Sequence, residues 1–505
     1  MNNIKEEHLN IRIAKGMAWN YINKILEFGL AACFSIIVGR TLGPKTYGTY
    51  NLIMTFAATL LLFFSFGFES VLNKFVPQLN RAESYGKMHN LYKNLLIIRF
   101  AILLVISVMV YFADSFFSDY FSEKAFLSYR LLIVGILLSI GLRDMVLAYF
   151  TSLLKIRELT IIKTISQVFG LVLVGSLFLL FTPSLLYALW SFLFSVVFIL
   201  FMGLMIYKRS PVQIEPLYDK TMNNEILKFG FYIWLINLST FLINGQINIL
   251  LLGALLKDTL QVGYYSTALL FGYLPGIFIS ALAGIFLPIL SEVSSKHGKE
   301  GLSKIINGLA KMLIITLIPV ILFLGWFAHP IIMVVLGEKY LPSVQLVQIY
   351  TMFSALGVLA LTHLATNTLY TVGQEKKVLV IRVVCGVINI GLVFILVPYL
   401  GAVGAILAFC ISVIITQFIE FIVVSMNVRK FYPLVFSIKV LVGSICSLFI
   451  ISYLEAGGIY SLGISFVVYV GLIMLFCKIL FLFSESDKKL LLSLHPFSAF
   501  IVRWL

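Results

Sequence analysis

The chain has 505 residues, 61% of them apolar and only 12% charged, with a mean hydropathy of +1.03. This exceeds the roughly half-apolar makeup of a soluble domain, so an ordinary globular enzyme is excluded and lipid is the expected solvent. The formal charge of +15 raises nucleic acid as a partner, but the basic residues are distributed in a way that gives the charge another meaning.

A membrane-crossing helix takes about 20 mostly apolar residues. Fourteen such runs follow one another, at roughly 13–39, 47–78, 91–112, 127–154, 160–181, 184–207, 226–254, 260–290, 303–328, 343–371, 377–397, 401–425, 434–454 and 459–482. They are continuous rather than alternating, which excludes a β-barrel. The expected fold is an all-α polytopic membrane protein of about 14 transmembrane helices, in two pseudo-symmetric six-helix bundles plus a C-terminal helix pair. With a cytoplasmic N-terminus, the inward loops hold most basic residues, among them Lys5, Arg12, Lys15, Lys87, Lys155, Arg157, Lys208, Arg209, Lys299, Lys376, Lys377, Arg429, Lys488 and Lys489. The outward loops hold chiefly Arg40, Lys45, Lys124, Lys257 and Lys339. This is the positive-inside bias, so the net charge reads as topology, with both termini cytoplasmic and no nucleic-acid partner.

The first run carries Asn20, Asn23, Lys24 and Glu27 at spacings of three and four, hence on one helical face. Leu30-Ala31-Ala32-Cys33 resembles a lipoprotein cleavage box, but Lys24 and Glu27 interrupt the apolar core such a signal needs. The second run offers Ser65, Glu69 and Asn73 with Lys74 beside them, and the fourth Arg143 and Asp144. The longest hydrophilic stretch, 207–228, has no room for a soluble catalytic or nucleotide-binding domain. Beyond it the seventh run has Asn237, Thr240, Asn244 and Asn248, the tenth His363, Asn367 and Tyr370, and the eleventh Arg382 and Asn389. Behind the last run, Leu490, Leu491, Leu494, Phe497, Ile501 and Trp504 suggest an amphipathic helix on the inner membrane surface.

The two halves look related. Leu42-Gly43-Pro44-Lys45-Thr46-Tyr47-Gly48-Thr49-Tyr50 corresponds to Leu256-Lys257-Asp258-Thr259-Leu260-Gln261-Val262-Gly263-Tyr264-Tyr265, and Val76-Pro77 to Leu287-Pro288. Six helices per half keep both repeats in one orientation, related by an axis along the membrane normal. The expected division is an N-terminal lobe over 1–210, a cytoplasmic linker over 211–228, and a C-terminal lobe over 229–430. Two further helices follow over 431–483, then the tail over 484–505.

A charge at mid-membrane costs about 2.5–3.5 kcal/mol on insertion scales, so each must face protein or water. Each also has two readings. Lys24 with Glu27, and Arg143 with Asp144, are either ion pairs that hold helices together or parts of a cargo path; the Asn stripes are either interhelical hydrogen bonds or a polar lining. His363 reads foremost as a core histidine, and Lys74, Lys311 and Lys439 as snorkelling side chains. Cys33, Cys385, Cys410, Cys446 and Cys477 all lie in apolar runs without Cys-x-x-Cys spacing, so neither disulfides nor a metal site is expected. No zinc-protease, phosphate-loop or Asp-x-Asp signature occurs; no enzyme activity and no cofactor are expected.

Lys15-Gly16, Leu42-Gly43-Pro44 with Tyr47-Gly48-Thr49-Tyr50, and Leu252-Gly253 before Val262-Gly263-Tyr264-Tyr265-Ser266 open a pattern that continues with Leu336-Gly337-Glu338-Lys339-Tyr340 and Pro398-Tyr399-Leu400-Gly401-Ala402-Val403-Gly404-Ala405. In this order they resemble the polysaccharide-transporter branch of the multidrug/oligosaccharidyl-lipid/polysaccharide flippase superfamily, over nearly the whole chain. The resemblance implies a bacterial plasma-membrane flippase that moves an undecaprenyl-pyrophosphate-linked repeat unit to the outer leaflet by alternating access, for exopolysaccharide, capsule or O-antigen assembly. Polymerase and glycosyltransferases of the same pathway are the implied partners, besides membrane lipids. On this reading Lys24, Arg143 and Arg382 receive the pyrophosphate. Asn20, Asn237, Asn244, Asn248, Tyr265, Asn367 and Tyr370 line the sugar path, and Glu27, Glu69 and Asp144 are the candidates for ion coupling. Where relatives often carry an acidic residue late in the seventh helix, this chain has Asn248. Lipid II flipping and multidrug export are the alternatives within transport, and a polytopic glycosyltransferase or polysaccharide polymerase outside it.

Overall fold

The computed structural model describes residues 2–82, 84–113, 128–207, 220–429, 431–452 and 458–479. Among them there is no strand. Sixteen α-helices follow in order: α1 (Asn2–Phe63), α2 (Phe68–Arg81), α3 (Tyr85–Phe112), α4 (Arg130–Ser152), α5 (Ile156–Leu180), α6 (Leu185–Tyr207), α7 (Lys220–Phe241), α8 (Gly245–Leu256), α9 (Thr259–Trp326), α10 (Ala328–Val335), α11 (Ser343–Leu359), α12 (Thr362–Thr371), α13 (Glu375–Leu400), α14 (Ala402–Asn427), α15 (Leu434–Ile451) and α16 (Ile459–Ile479). The fold is all-α, as composition and run lengths require.

Two of these helices exceed any single crossing. At 62 residues, α1 would extend about 93 Å at ~1.5 Å per residue, three times a hydrocarbon core. It is interrupted at Gly43, with φ 77° and ψ 170°, just before Pro44, and the 68-residue α9 at Gly298, with φ 59° and ψ −152°. Both breaks need positive φ, which glycine adopts without steric cost.

Eleven described helices are long and apolar enough to cross a membrane, or up to twelve if the bent pair Asn224–Phe241 and Gly245–Leu256, angled at 61°, is one span. The chain is a multi-pass membrane protein, and this tally of the described residues does not confirm the expected count of about fourteen. The shortfall has a geometric source, because the first two runs share α1 and the eighth and ninth share α9. Val380, Val384 and Val387 on α13, at spacings of four and three, are exposed. In lipid such a face is solvated rather than stranded.

By contacts the chain forms two units, Met1–Gly263 and Tyr264–Leu505. In the first, α4 packs against α2, α3 and α6, and α5 against α1 and α6. Its core joins Val71, Leu72, Phe75, Tyr92, Met145 and Tyr149, with the rings of Tyr92 and Tyr149 stacked at 4.3 Å. Between α5 and α6 small residues let backbones approach: Ser166 Oγ donates to the Ser195 carbonyl at 2.5 Å, and Ser195 Oγ donates back to the Ser166 carbonyl at 3.1 Å. The turn after Gly43 meets the start of α9 more closely still. A Cβ on Gly48 would lie 1.8 Å from the Thr259 carbonyl oxygen, and one on Gly263 2.0 Å from that of Pro44.

In the second unit α14 packs on α11, α12 and α13, and α15 on α16. Its core includes Leu313, Leu317, Ile321, Leu364, Leu369 and Val424. Tyr469 on α16 donates its hydroxyl to the Pro319 carbonyl at 3.1 Å, so the one polar atom of a fully buried ring is satisfied.

Candidate functional site

The second apolar run breaks where the sequence reading expected continuous helix. α1 stops at Phe63 and α2 starts at Phe68, with Phe66 and Gly67 both at positive φ. A break frees carbonyls, and a free carbonyl in a dry interior costs several kcal/mol unless a donor reaches it. Two donors do. Trp234 Nε1 on α7 donates to Leu62 at 3.2 Å and to Phe63 at 3.0 Å, and Arg99 Nη1 on α3 donates to Phe64 at 2.7 Å. Arg99 is 1% exposed, with Nη2 3.6 Å from Glu69 Oε1 in the first turn of α2. The cation thus closes the break on one side and balances a carboxylate on the other.

Beside this, α4 carries Arg143 and Asp144. Arg143 Nε and Nη2 both donate to Asp144 Oδ1, at 3.0 and 2.8 Å, and both side chains keep partial exposure, 24% and 33%. α2 packs on α4, and the charges of Glu69 and Asp144 act on one another.

The first-run stripe forms a second group. Lys24 Nζ lies 3.8 Å from Glu27 Oε2 and 5.8 Å from the Phe28 ring centroid. The other Glu27 oxygen accepts from Lys163 Nζ of α5 at 3.1 Å. Glu27 thereby sits between two cations, and Lys163 joins the group. Asn23 is buried. The Asn20 side chain lies outside the described residues.

The Asn stripe of the seventh run spans a bend rather than one helix. Asn237 is exposed on α7, while Asn244 caps α8, its Oδ1 accepting from the Gln246 N–H at 3.3 Å. Asn248 is fully buried one turn further. The stripe therefore does not lie on a single straight face.

In the second unit, Arg382 on α13 lies 4.0 Å through Nε from Glu420 Oε1 on α14; the side chains are 19% and 3% exposed. The other Glu420 oxygen accepts from the Thr366 hydroxyl of α12 at 2.5 Å. Asn367 turns back to donate to the His363 carbonyl at 2.8 Å, Tyr370 packs at the edge of the core, and Tyr265 is fully buried. One turn from Thr366 and Glu420, a cavity of about 270 Å³ opens among α9, α11, α12 and α14. His363 and Gln417 line it with the rings of Tyr273, Tyr350, Phe353 and Phe409.

The sequence-predicted cations thus come to lie beside carboxylates: Lys24 with Glu27, Arg143 with Asp144, Arg382 with Glu420. A buried cation so paired is cheaper to hold than a bare one. Arg99 and Glu420 were not singled out in the sequence. The charge partner of each is on another helix. Among the described residues no group of three or more His, Cys, Asp or Glu is arranged to hold a metal ion.

A family model described as "Polysaccharide biosynthesis protein" matches residues 37–345. Among curated proteins no sequence matches the chain. Among solved structures, the lipid II flippase MurJ is similar, with a TM-score of 0.70 at 15% identity over 93% of this chain and 99% of that one. A multidrug resistance MATE family transporter of the MOP superfamily is similar with a TM-score of 0.64 at 16% identity, over 80% and 94% of the two chains. A MOP superfamily transporter from Pyrococcus furiosus, described as having a binding pocket of reverse polarity, is similar with a TM-score of 0.56 at 15% identity over 82% and 95%. At these identities the likeness speaks for the fold.

Proposed function

The chain belongs to the polysaccharide biosynthesis protein family, and from that premise we propose that it is a flippase for an undecaprenyl-pyrophosphate-linked oligosaccharide. It moves the repeat unit from the cytoplasmic to the outer leaflet of a bacterial plasma membrane, without catalysing a covalent step. One observation carries the reading: a family of polysaccharide biosynthesis is represented here by a chain whose described residues are membrane-length helices, and what such a pathway needs from such a chain is passage of its lipid-borne intermediate.

The cargo has a pyrophosphate of about two negative charges, a polar glycan and a tail at home in lipid, so only the head group needs help. Lys24, Arg143 and Arg382 take the phosphate by partner exchange with Glu27, Asp144 and Glu420. With the inside negative, two charges moving outward gain about 4.6 kcal/mol per 100 mV. Alternating access between the lobes completes the cycle.

Reconstitution into vesicles tests this, with labelled undecaprenyl-pyrophosphate-linked repeat unit and detection of its arrival in the opposite leaflet. Folded protein that moves none of it overturns the reading. The likeness to the lipid II flippase favours lipid II as the second cargo to try in the same vesicles, and a multidrug substrate is the third. A reporter fused after Lys489 is expected inside the cell.

A further inference from the structure

The cavity of the second unit differs from the ion pairs described above in what lines it. Its described lining holds no lysine, arginine, aspartate or glutamate, so it offers no positive charge to a phosphate and no counter-charge to an organic cation. It offers instead aromatic faces with neutral donors and acceptors. Tyr350 stands between Tyr273, edge-on at 6.2 Å, and Phe409, stacked at 5.7 Å. The Tyr350 ring is held in place from behind by Gly272, where a Cβ would fall 2.3 Å from Cε1. His363, Ser354 and Gln417 add polar groups to a lining that also includes the apolar Val358, Val413 and Ile414, and a Gln amide both donates and accepts.

A volume of about 270 Å³ lies at the foot of the ~300–1,000 Å³ range of small-ligand pockets. It takes one ring-sized group and excludes a whole repeat unit or a polyprenyl chain. A neutral ring that presents C–H faces to aromatic rings and hydroxyls to an amide and an imidazole is a sugar. The charged neighbourhood says which sugar. Arg382 acts electrostatically on His363, and Glu420 and Thr366 are each one turn from a lining residue, Gln417 and His363, on α14 and α12. A cation beside a neutral ring site suits a pyranose carrying its phosphate.

We propose that this cavity is a saccharide subsite for the sugar joined directly to the pyrophosphate, with the Tyr273, Tyr350 and Phe409 rings as its aromatic wall and Gln417 as its hydroxyl partner. The proposal rests on the flippase reading and makes the second unit the reader of glycan identity.

Gly276 supplies the test. It lines the cavity, and a Cβ there meets nothing within 4 Å, so Gly276→Leu fills open space. Transport by wild type, Gly276→Leu and Tyr350→Leu is measured in vesicles with two probes, undecaprenyl pyrophosphate bearing one N-acetylglucosamine and undecaprenyl pyrophosphate alone. The ratio of sugar-bearing to sugar-free transport is expected to fall about tenfold in both variants, equivalent to about 1.4 kcal/mol. An unchanged ratio in both overturns the subsite, whether total transport holds or drops. Wild type that moves neither lipid sinks the flippase reading and the subsite with it; wild type that moves both, with the variants' ratio unchanged, sinks the subsite alone.

Discussion

The two units handle buried polarity differently. In Met1–Gly263 one charged side chain mends the backbone, Arg99, which closes a helix break while balancing Glu69, and Glu27 ties α1 to α5 through Lys163. In Tyr264–Leu505 the buried pair Arg382 and Glu420 lies one turn from a cavity. The lesson is that a charge inside a membrane protein is not evidence of a cargo path until its backbone partners are known. A guanidinium on a carbonyl is architecture; one paired with an exchangeable carboxylate is available for work.

Substitutions sharpen this contrast. The largest effect is expected from Arg99→Ala, which strands the Phe64 carbonyl and leaves Glu69 without its cation; breaking such a pair costs about 3–5 kcal/mol. Thermal unfolding of the purified protein reads it, and a melting curve like the wild type's breaks the distinction between the units. Next come Lys24→Ala and Arg143→Ala, expected to lower transport of the lipid-linked glycan about 10- to 100-fold, or about 1.4–2.7 kcal/mol, with the fold intact; full polymer export in both removes these cations from the mechanism. Glu420→Gln keeps an acceptor for Thr366 but removes the counter-charge of Arg382. A net hydrogen bond to a charged group contributes about 1.5–3 kcal/mol, so cargo binding, read by titration of labelled lipid, is expected to tighten about tenfold while release slows. Weaker binding would show that Glu420 only positions Arg382. The smallest effect, about 1 kcal/mol for a lost N-cap, belongs to Asn244→Ala, read as a modest drop in melting temperature without a change in cargo selectivity.

Much of this was legible from the sequence. Lipid leaves a chain few choices, so apolar runs predict helices well, and the runs reappear as helices through their described residues. The breaks were less legible. Gly43 with Pro44 announces itself, whereas the break at 64–67 lies inside an unbroken apolar run, and only a donor on α3 and another on α7 permit it. The same blindness hid Arg99 and Glu420. A helical stripe is a pattern within one element, so it finds Lys24 with Glu27 but not an arginine whose acceptor is a backbone oxygen 35 residues away. Asn244 shows the converse, since a residue in register with a stripe has its oxygen engaged at a helix start. The cavity was out of reach because Tyr273, Tyr350 and Phe409 come from three helices, and aromatic residues in apolar runs carry no mark of what they surround.

Gly48 and Gly263 sit at equivalent places in the two turns that suggested an internal repeat, and both lie in the unit Met1–Gly263, where each glycine faces the main chain of the other turn. Neither leaves room for a methyl group, so main chain rests directly on main chain. Such a contact has no rotamers to reshuffle, so any alanine introduced there acts as a wedge that must part the two backbones.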